Sequence, residues 1–194
     1  IYDFNKNKKT ENKSTFKIMI LGGSQGAKFF DENMKKLIIN LSKKNKISLI
    51  QQISDKNKIE QLTQEYNAIK LPHEIFCFTN ELHTKFEDID FAITRSGAST
   101  ISELAFLNIP FLAIPFPHAK DDHQFYNAKN YLDKKLCWLI IQNDFRIQET
   151  TDFLSNLISN KEEYFLIKEN MKKFSYQNTW NNVNQKLINL INEN

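Results

Sequence analysis

Residues 16–27 read Phe-Lys-Ile-Met-Ile-Leu-Gly-Gly-Ser-Gln-Gly-Ala, an apolar run followed by three closely spaced glycines. A helical pattern begins directly after them, because Phe30, Met34, Leu37 and Leu41 recur at the period of an amphipathic helix. A strand, a glycine turn and a helix in this order predict the first unit of an α/β fold. The free N–H groups and the dipole at such a helix start make the turn a candidate anion site.

A second glycine turn follows another apolar run, Ile89-Asp-Phe-Ala-Ile-Thr94, and reads Arg95-Ser-Gly-Ala-Ser-Thr100. The chain has four glycines, and all of them lie in these two turns. Glycine is needed where the backbone bends sharply or where another group must come close. Two anion sites in one domain suggest that the ligand is a nucleotide diphosphate.

From Phe16 onward, apolar runs alternate with amphipathic stretches, which is typical of βαβ units around a parallel sheet. The predicted strands are 16–21, 47–51, 74–78, 89–94, 111–114 and 137–141. The predicted helices are 27–44, 56–69, 99–107, 121–134, 146–159, 161–174 and 179–193. The pattern therefore predicts an α/β fold with a parallel sheet.

The bulk composition limits the classes of partner. The chain has 194 residues, enough for one sizeable domain, and no apolar run approaches the roughly 18 residues of a membrane span. Its net charge of +3 does not predict nucleic-acid binding, although it is compatible with a mildly basic face toward an anionic membrane. Cys77 and Cys137 lie in apolar runs without metal-type spacing, so we expect reduced thiols.

Both glycine turns carry side chains that suit a sugar nucleotide. The Ser24 hydroxyl and the Gln25 amide can bind a phosphate or a sugar, although a tight strand-to-helix turn would need the same glycines. Ser99 and Thr100 can offer hydroxyl and N–H groups to a diphosphate, and the Glu103 carboxylate suits ribose hydroxyls. A capping box formed by Thr100 and Glu103 explains the second turn equally well.

A polar loop at 115–124 follows the fifth predicted strand, at the edge where open α/β sheets bind ligands. Gln124 and Asn127 should share one helix face. Four side chains could be interpreted as a metal cluster: His118, Asp121, Asp122 and His123. The two aspartates serve equally well as the N-cap and first-turn charges of a helix, so we expect no metal. Arg95 either balances ligand charge or forms a structural ion pair.

Four motifs together resemble the C-terminal half of the MurG family, peptidoglycan N-acetylglucosaminyltransferases of glycosyltransferase family 28. The motifs are GGSQGA at 22–27, RSGASTISE at 95–103, PFLAIPFPH at 110–118 and DDHQFYNA at 121–128. The resemblance extends over nearly the whole chain from about Lys17. It implies one Rossmann-like, doubly wound parallel sheet, the donor-binding half of a GT-B glycosyltransferase.

The resemblance also implies a binding site for the donor UDP-N-acetylglucosamine. Ser24 and Gln25 would contact its diphosphate and sugar, Glu103 its ribose hydroxyls, and Gln124 with His123 its sugar. The backbone near Phe78 and Thr79 would contact the uracil. The full set of implied substrate-binding residues is Ser24, Gln25, Thr79, Ala98, Ser99, Thr100, Ile101, Ser102, Glu103, His123 and Gln124. UDP-N-acetylglucosamine is a substrate here, and no cofactor or metal is implied.

For a whole enzyme, the resemblance implies transfer of N-acetylglucosamine to lipid I, which forms lipid II in peptidoglycan synthesis. The enzyme would be peripheral, at the cytoplasmic face of the bacterial inner membrane. The group that activates the acceptor, and the contacts with lipid I, are expected in an N-terminal half that this sequence does not contain. Alternatives are the catalytic subunit of a naturally split N-acetylglucosaminyltransferase and a non-catalytic nucleotide-sugar-binding module.

The expected organisation has three parts. Residues 1–15 form a linker or a truncated boundary, since the sequence starts without Met and is rich in Lys and Asn. Residues 16–178 form the nucleotide-sugar-binding domain. Residues 179–194 form a C-terminal helix, which the resemblance implies packs toward the N-terminal domain. The fragment alone is expected to bind the donor weakly and to transfer little or nothing.

Overall fold

The computed structural model describes residues 15–23, 27–79 and 81–177. Six strands form one parallel sheet: β1 (Phe16–Leu21), β2 (Ile47–Gln52), β3 (His73–Phe76), β4 (Phe91–Thr94), β5 (Phe111–Ala113) and β6 (Trp138–Leu139). Their order across the sheet is β3-β2-β1-β4-β5-β6. This is the doubly wound order of Rossmann-like folds, so the predicted fold class is confirmed.

Helices cover both faces of the sheet. They are α1 (Ala27–Ser42), α2 (Ile59–Ala68), α3 (Ala98–Phe106), α4 (His123–Asp133), α5 (Ile147–Ser159) and α6 (Glu162–Gln177). One apolar core lies between the sheet and α1, α2 and α5, and the other lies against α3, α4 and α6. Because both faces are covered, the central strands are continuously apolar, and Ile18, Met19 and Ile20 are all fully buried.

Several predicted boundaries shift at the ends of elements. The helix predicted at 56–69 starts with a short 3₁₀ turn, Lys56–Lys58, before α2 begins. The strand predicted at 137–141 is reduced to two residues, Trp138–Leu139, which pair with β5 at one edge of the sheet formed by the described residues. The predicted helix at 179–193 and nearly all of the predicted linker lie outside the described residues. None of the helices within the described ranges has the length and apolarity of a membrane-crossing segment.

The strand order places the two glycine turns next to each other. β1 pairs with β4 in parallel register, with Leu21 opposite Thr94 at the carboxyl ends of both strands. The Arg95 N–H extends this pairing by donating to the Leu21 carbonyl at 3.1 Å. The chain therefore leaves β1 and β4 at the same edge, where the strand order reverses and where such sheets bind ligands.

Candidate functional site

The first glycine turn begins with a left-handed residue. Gly23 has φ +66°, a conformation that strains any other residue type, and a Cβ there would lie 3.8 Å from the Arg95 Cβ. The Gly23 N–H donates to the Gln52 side-chain oxygen at 3.2 Å. Ser24 and Gln25 lie outside the described residues, so their contacts with a ligand remain predictions.

The second turn starts α3 without a side-chain cap. Gly97 is the N-cap residue and offers no side-chain acceptor, so the N–H groups of residues 98–100 at the helix start can donate to a ligand. The capping-box interpretation is therefore wrong, because Thr100 is the third residue of α3 and not its N-cap. Ile101 has a structural role in α3, since its side chain is fully buried and its N–H donates to the Gly97 carbonyl at 3.1 Å.

Glu103 is half-buried and lies one turn into α3. It lines an open groove of about 620 Å³ together with the exposed residues Ser99 and Ser102. The Ser102 hydroxyl is engaged within the helix, where it donates to the Ala98 carbonyl at 2.6 Å. Glu103 and Ser99 are thus the polar side chains of this helix face that best suit a ligand in the groove.

Ser96 connects the second glycine turn to the start of α4. Its buried hydroxyl donates to the Gln124 carbonyl at 2.7 Å, and its own carbonyl accepts from the Asn127 amide at 3.1 Å. The Gln124 side-chain oxygen accepts from the Phe116 N–H at 3.1 Å. Gln124 and Asn127 therefore share one face of α4, as predicted, and among the described residues no hydrogen bond is seen from the Gln124 NH₂ group.

The two aspartates before α4 do not cap it in the predicted way. Asp121 and Asp122 have φ values of 52° and 51°, and Asp122 occupies the N-cap position without a capping hydrogen bond from its side chain to the helix. Aspartate tolerates the left-handed region better than most residues. His123 begins the helix, is exposed, and has its Nδ1 2.7 Å from the Lys120 carbonyl. Within the described ranges, no three His, Cys, Asp or Glu residues cluster as a metal site requires.

Arg95 is a buried cation behind the two turns and is 4% exposed. Its guanidinium donates to the Ile114 carbonyl at 3.0 Å, the Pro115 carbonyl at 2.9 Å and the Gln142 side-chain oxygen at 2.6 Å. Three rings surround it at 4.9–5.5 Å from the guanidinium carbon: Phe29, Phe30 and Phe116. Burial lowers the pKa of Arg95 to about 10, so the side chain stays charged at neutral pH. Arg95 thereby connects α1, β4, the loop after β5 and the turn before α5.

The helix starts differ in charge. α2 and α5 each carry an acidic residue in the first turn, Glu60 and Glu149, and α6 carries two there. The first turns of α1, α3 and α4 carry none, but α4 has the carboxylate of Asp122 at its N-cap position. Because acidic residues normally compensate the positive end of the helix dipole, α1 and α3 keep an uncompensated positive end at the glycine turns. This arrangement favours an anionic ligand there.

The strand end predicted to contact the uracil lies further along the sheet. Phe78 is 79% exposed and Thr79 is half-buried, with the Thr79 hydroxyl oxygen accepting from the Glu81 N–H at 3.0 Å. Both residues follow β3, which is separated from β1 by β2. The structure thus brings residues 96–103 and Gln124 together, while Thr79 lies apart along the same edge.

Two residues near the turns were not among the predicted site residues. Gln52 accepts from Gly23, and Gln142 accepts from Arg95. A polar side chain at the carboxyl end of a strand is a signal that could have singled out Gln52, because ligands bind at that edge. No comparable signal marks Gln142, which lies in a short 3₁₀ turn.

Comparison with known sequences identifies the family. Residues 17–186 match the model of the glycosyltransferase family 28 C-terminal domain. A UDP-N-acetylglucosamine–N-acetylmuramyl-(pentapeptide) pyrophosphoryl-undecaprenol N-acetylglucosamine transferase from Pelagibacter ubique is 45% identical over 190 residues, covering 97% of this chain and 53% of the relative. The transferase of the same name from Rickettsia felis is 36% identical, covering 78% of this chain and 43% of the relative. The chain therefore spans about half the length of the curated relatives it matches.

Solved structures share the fold. The crystal structure of Acinetobacter baumannii MurG superposes with a TM-score of 0.72 at 22% identity, covering 95% of this chain and 51% of that chain. The C-terminal CMP-Kdo binding domain of WaaA from the same species superposes with a TM-score of 0.58 at 10% identity, covering 83% of this chain and 89% of that chain. At these identities the likeness concerns the fold alone.

Proposed function

The chain belongs to the glycosyltransferase family 28 C-terminal domains, and we propose that it binds UDP-N-acetylglucosamine as the sugar donor of a transferase. In the whole protein, N-acetylglucosamine would pass to lipid I and form lipid II for peptidoglycan. The names of the relatives support this donor and acceptor. Residues 16–178 would be the donor domain, and residues 179–194 would pack toward the acceptor-binding part.

One observation carries the proposal: the uncompensated starts of α1 and α3 adjoin at one edge of the sheet. β1 and β4, which lead into these helices, end side by side, and neither helix has an acidic residue in its first turn. Helix N-termini bind phosphates through free N–H groups and the helix dipole. Two adjacent starts suit a diphosphate, which carries negative charge on both phosphates.

The donor's parts are assigned along this edge. The N–H groups of residues 98–100 would bind the diphosphate, with Ser24 and Gln25 on its sugar side. Glu103 would accept hydrogen bonds from the ribose hydroxyls. The NH₂ group of Gln124 would donate to the sugar together with His123, and the backbone at Thr79 would contact the uracil. Ile101 and Ser102 would contribute by shaping the first turns of α3.

The proposed reaction is an inverting transfer. A hydroxyl of the acceptor sugar attacks the anomeric carbon, the bond from that carbon to the diphosphate oxygen breaks, and UDP leaves. Negative charge develops on the departing diphosphate, and the preorganised N–H donors at the helix starts would stabilise it. The group that takes the acceptor's proton would belong to the part of the protein that holds lipid I. A lipid-linked acceptor would place the enzyme at the cytoplasmic surface of the inner membrane as a peripheral protein.

Glu103 provides the test of the donor assignment. In the full protein that carries this chain, Glu103→Ala should raise the Kd for UDP about tenfold or more, since a hydrogen bond to a charged group contributes roughly 1.5–3 kcal/mol. Glu60→Ala, an exposed carboxylate in the first turn of α2, is the matched control and should bind UDP normally. Titration calorimetry measures both, and Ser24→Ala should have a smaller effect than Glu103→Ala.

Two outcomes would contradict the proposal. Unchanged UDP affinity in the Glu103 variant would remove the ribose assignment. A wild-type protein that does not bind UDP would overturn the proposed function itself. One that binds UDP but transfers no N-acetylglucosamine to lipid I would favour a non-catalytic nucleotide-sugar-binding module.

A further inference from the structure

Gln52 ends β2, and its side chain reaches the neighbouring glycine turn. Its oxygen accepts from the Gly23 N–H at 3.2 Å. The backbone ladder between β1 and β2 ends earlier, with Ile20 opposite Gln51. Gly23 thus lies beyond the last ladder pair, and the Gln52 side chain supplies the acceptor that a longer β2 would have supplied.

The adjacent glutamine serves a different purpose. Gln51 is 1% exposed, and its oxygen accepts from the Tyr66 hydroxyl at 2.7 Å within the core. Successive side chains of a strand point to opposite faces, so Gln52 cannot share this environment. Gln52 is half-buried at the carboxyl edge. Its hydrogen bond therefore acts on the turn and contributes little to core packing.

The segment that follows β2 also forms hydrogen bonds with α1, the helix that follows the glycine turn. The Ser54 N–H donates to the Asp31 carboxylate at 3.3 Å, and the Ser54 hydroxyl donates to the same carboxylate. Asp31 lies in the second turn of α1, just after the glycine turn. Gly23 itself has the Arg95 side chain behind it at 3.8–3.9 Å from an ideal Cβ position. The end of β2 therefore forms hydrogen bonds with residues on both sides of 24–26: Gln52 with Gly23 before them, and Ser54 with Asp31 after them.

We infer that Gln52 is a positioning residue of the donor site: its amide oxygen holds the Gly23 backbone in its left-handed conformation, at the edge of the sheet where the diphosphate is proposed to bind. This inference rests on the proposed donor-binding function. Gln52 acts on the ligand through Gly23, so its loss should weaken interactions with phosphates and leave interactions with the nucleoside unchanged.

The test compares UDP with uridine in the full protein. Gln52→Met keeps the side-chain length but removes the acceptor, and should raise the Kd for UDP about 3- to 10-fold, the effect of one net hydrogen bond. Competition by uridine should stay within about twofold of the wild type. Hydrogen exchange at the Gly23 amide should accelerate in Gln52→Met and stay slow in Gln52→Glu, whose carboxylate still accepts. Gln61→Met is the matched control, an exposed glutamine on α2 that donates to Glu65.

Each result has a defined meaning. Selective loss of UDP affinity with a melting temperature equal to that of Gln61→Met supports the inference. Wild-type UDP affinity in Gln52→Met overturns it, and so does an equal loss of UDP and uridine accompanied by a lower melting temperature. A wild-type protein that does not bind UDP overturns the proposed function instead, and the exchange rate at Gly23 then still shows whether Gln52 holds the turn.

Discussion

Replacing Arg95 by Met tests how the site is held together. Met approximates the length and apolar volume of the arginine stem but cannot donate hydrogen bonds. The change leaves three acceptors without their donor: the Ile114 and Pro115 carbonyls and the Gln142 side-chain oxygen. We expect a large loss of stability, concentrated where β4, β5 and the turn before α5 meet.

The magnitude follows from burial. Ile114 and Pro115 are both buried, and a buried acceptor left unsatisfied costs about 1–3 kcal/mol. Three unsatisfied acceptors would cost up to roughly 9 kcal/mol by that rule. Two effects lower this cost: water can reach the Gln142 side chain, and Met does not bury a charge as Arg95 does. We therefore expect the free energy of unfolding to fall by about 3–5 kcal/mol in Arg95→Met, because large effects come from broken buried networks.

The other arginine of the chain supplies the control. Arg146 also donates to two backbone carbonyls, those of Asn143 at 2.8 Å and Phe145 at 3.1 Å, but it is exposed. Arg146→Met should cost less than about 1 kcal/mol, as surface changes do. Native-state hydrogen exchange of β4 and β5 amides measures both variants, since protection there reports opening of the sheet. The reasoning is refuted if Arg95→Met costs no more than Arg146→Met.

Two further predictions concern buried polar groups. Tyr66→Phe removes the hydroxyl that donates to the buried Gln51 oxygen, and should lower the free energy of unfolding in urea by about 1–2 kcal/mol; a change below about 0.3 kcal/mol would show that this bond contributes nothing. Burial raises the pKa of Cys137 from 9.0 to about 12, so the folded state keeps a proton that the unfolded chain releases. Stability should therefore fall as pH rises from about 9 toward 12, and Cys137→Ala should flatten that decline in urea titrations at pH 8 and pH 10.5; equal slopes in both proteins would contradict the assignment.

The sequence predicts the central elements well, because their patterns are local. β1 is predicted at 16–21 and found at Phe16–Leu21, since a run buried on both faces is apolar throughout. The start of α4 is not predictable in the same way. Its position depends on the bonds from Gln124 to Ser96 and Phe116, which join three separate segments. No pattern near residue 121 contains that information.

The same distinction applies to the site. The glycine turns and their hydroxyl residues are visible in the sequence, because the residues that form an anion site at a helix start are contiguous. The register of α3 is ambiguous, since both Gly97 and Thr100 are acceptable N-cap residues. The hydrogen bonds that Gln52 and Arg95 make near the turns form only because β2, β1 and β4 are neighbours in the sheet. They connect residues far apart in the chain, so only the assembled sheet reveals them.

The absence of acidic residues from the first turns of α1 and α3 has a consequence for engineering. Placing Asp or Glu at helix starts is a standard route to a more stable protein, worth roughly 0.3–1 kcal/mol per helix. At Lys28 or Ser99 the same substitution would satisfy the helix dipole with a permanent internal anion, which would then compete with the ligand. The two helix starts of the site therefore carry a stability–activity trade-off, whereas the starts of α2, α5 and α6, which already hold acidic residues, do not.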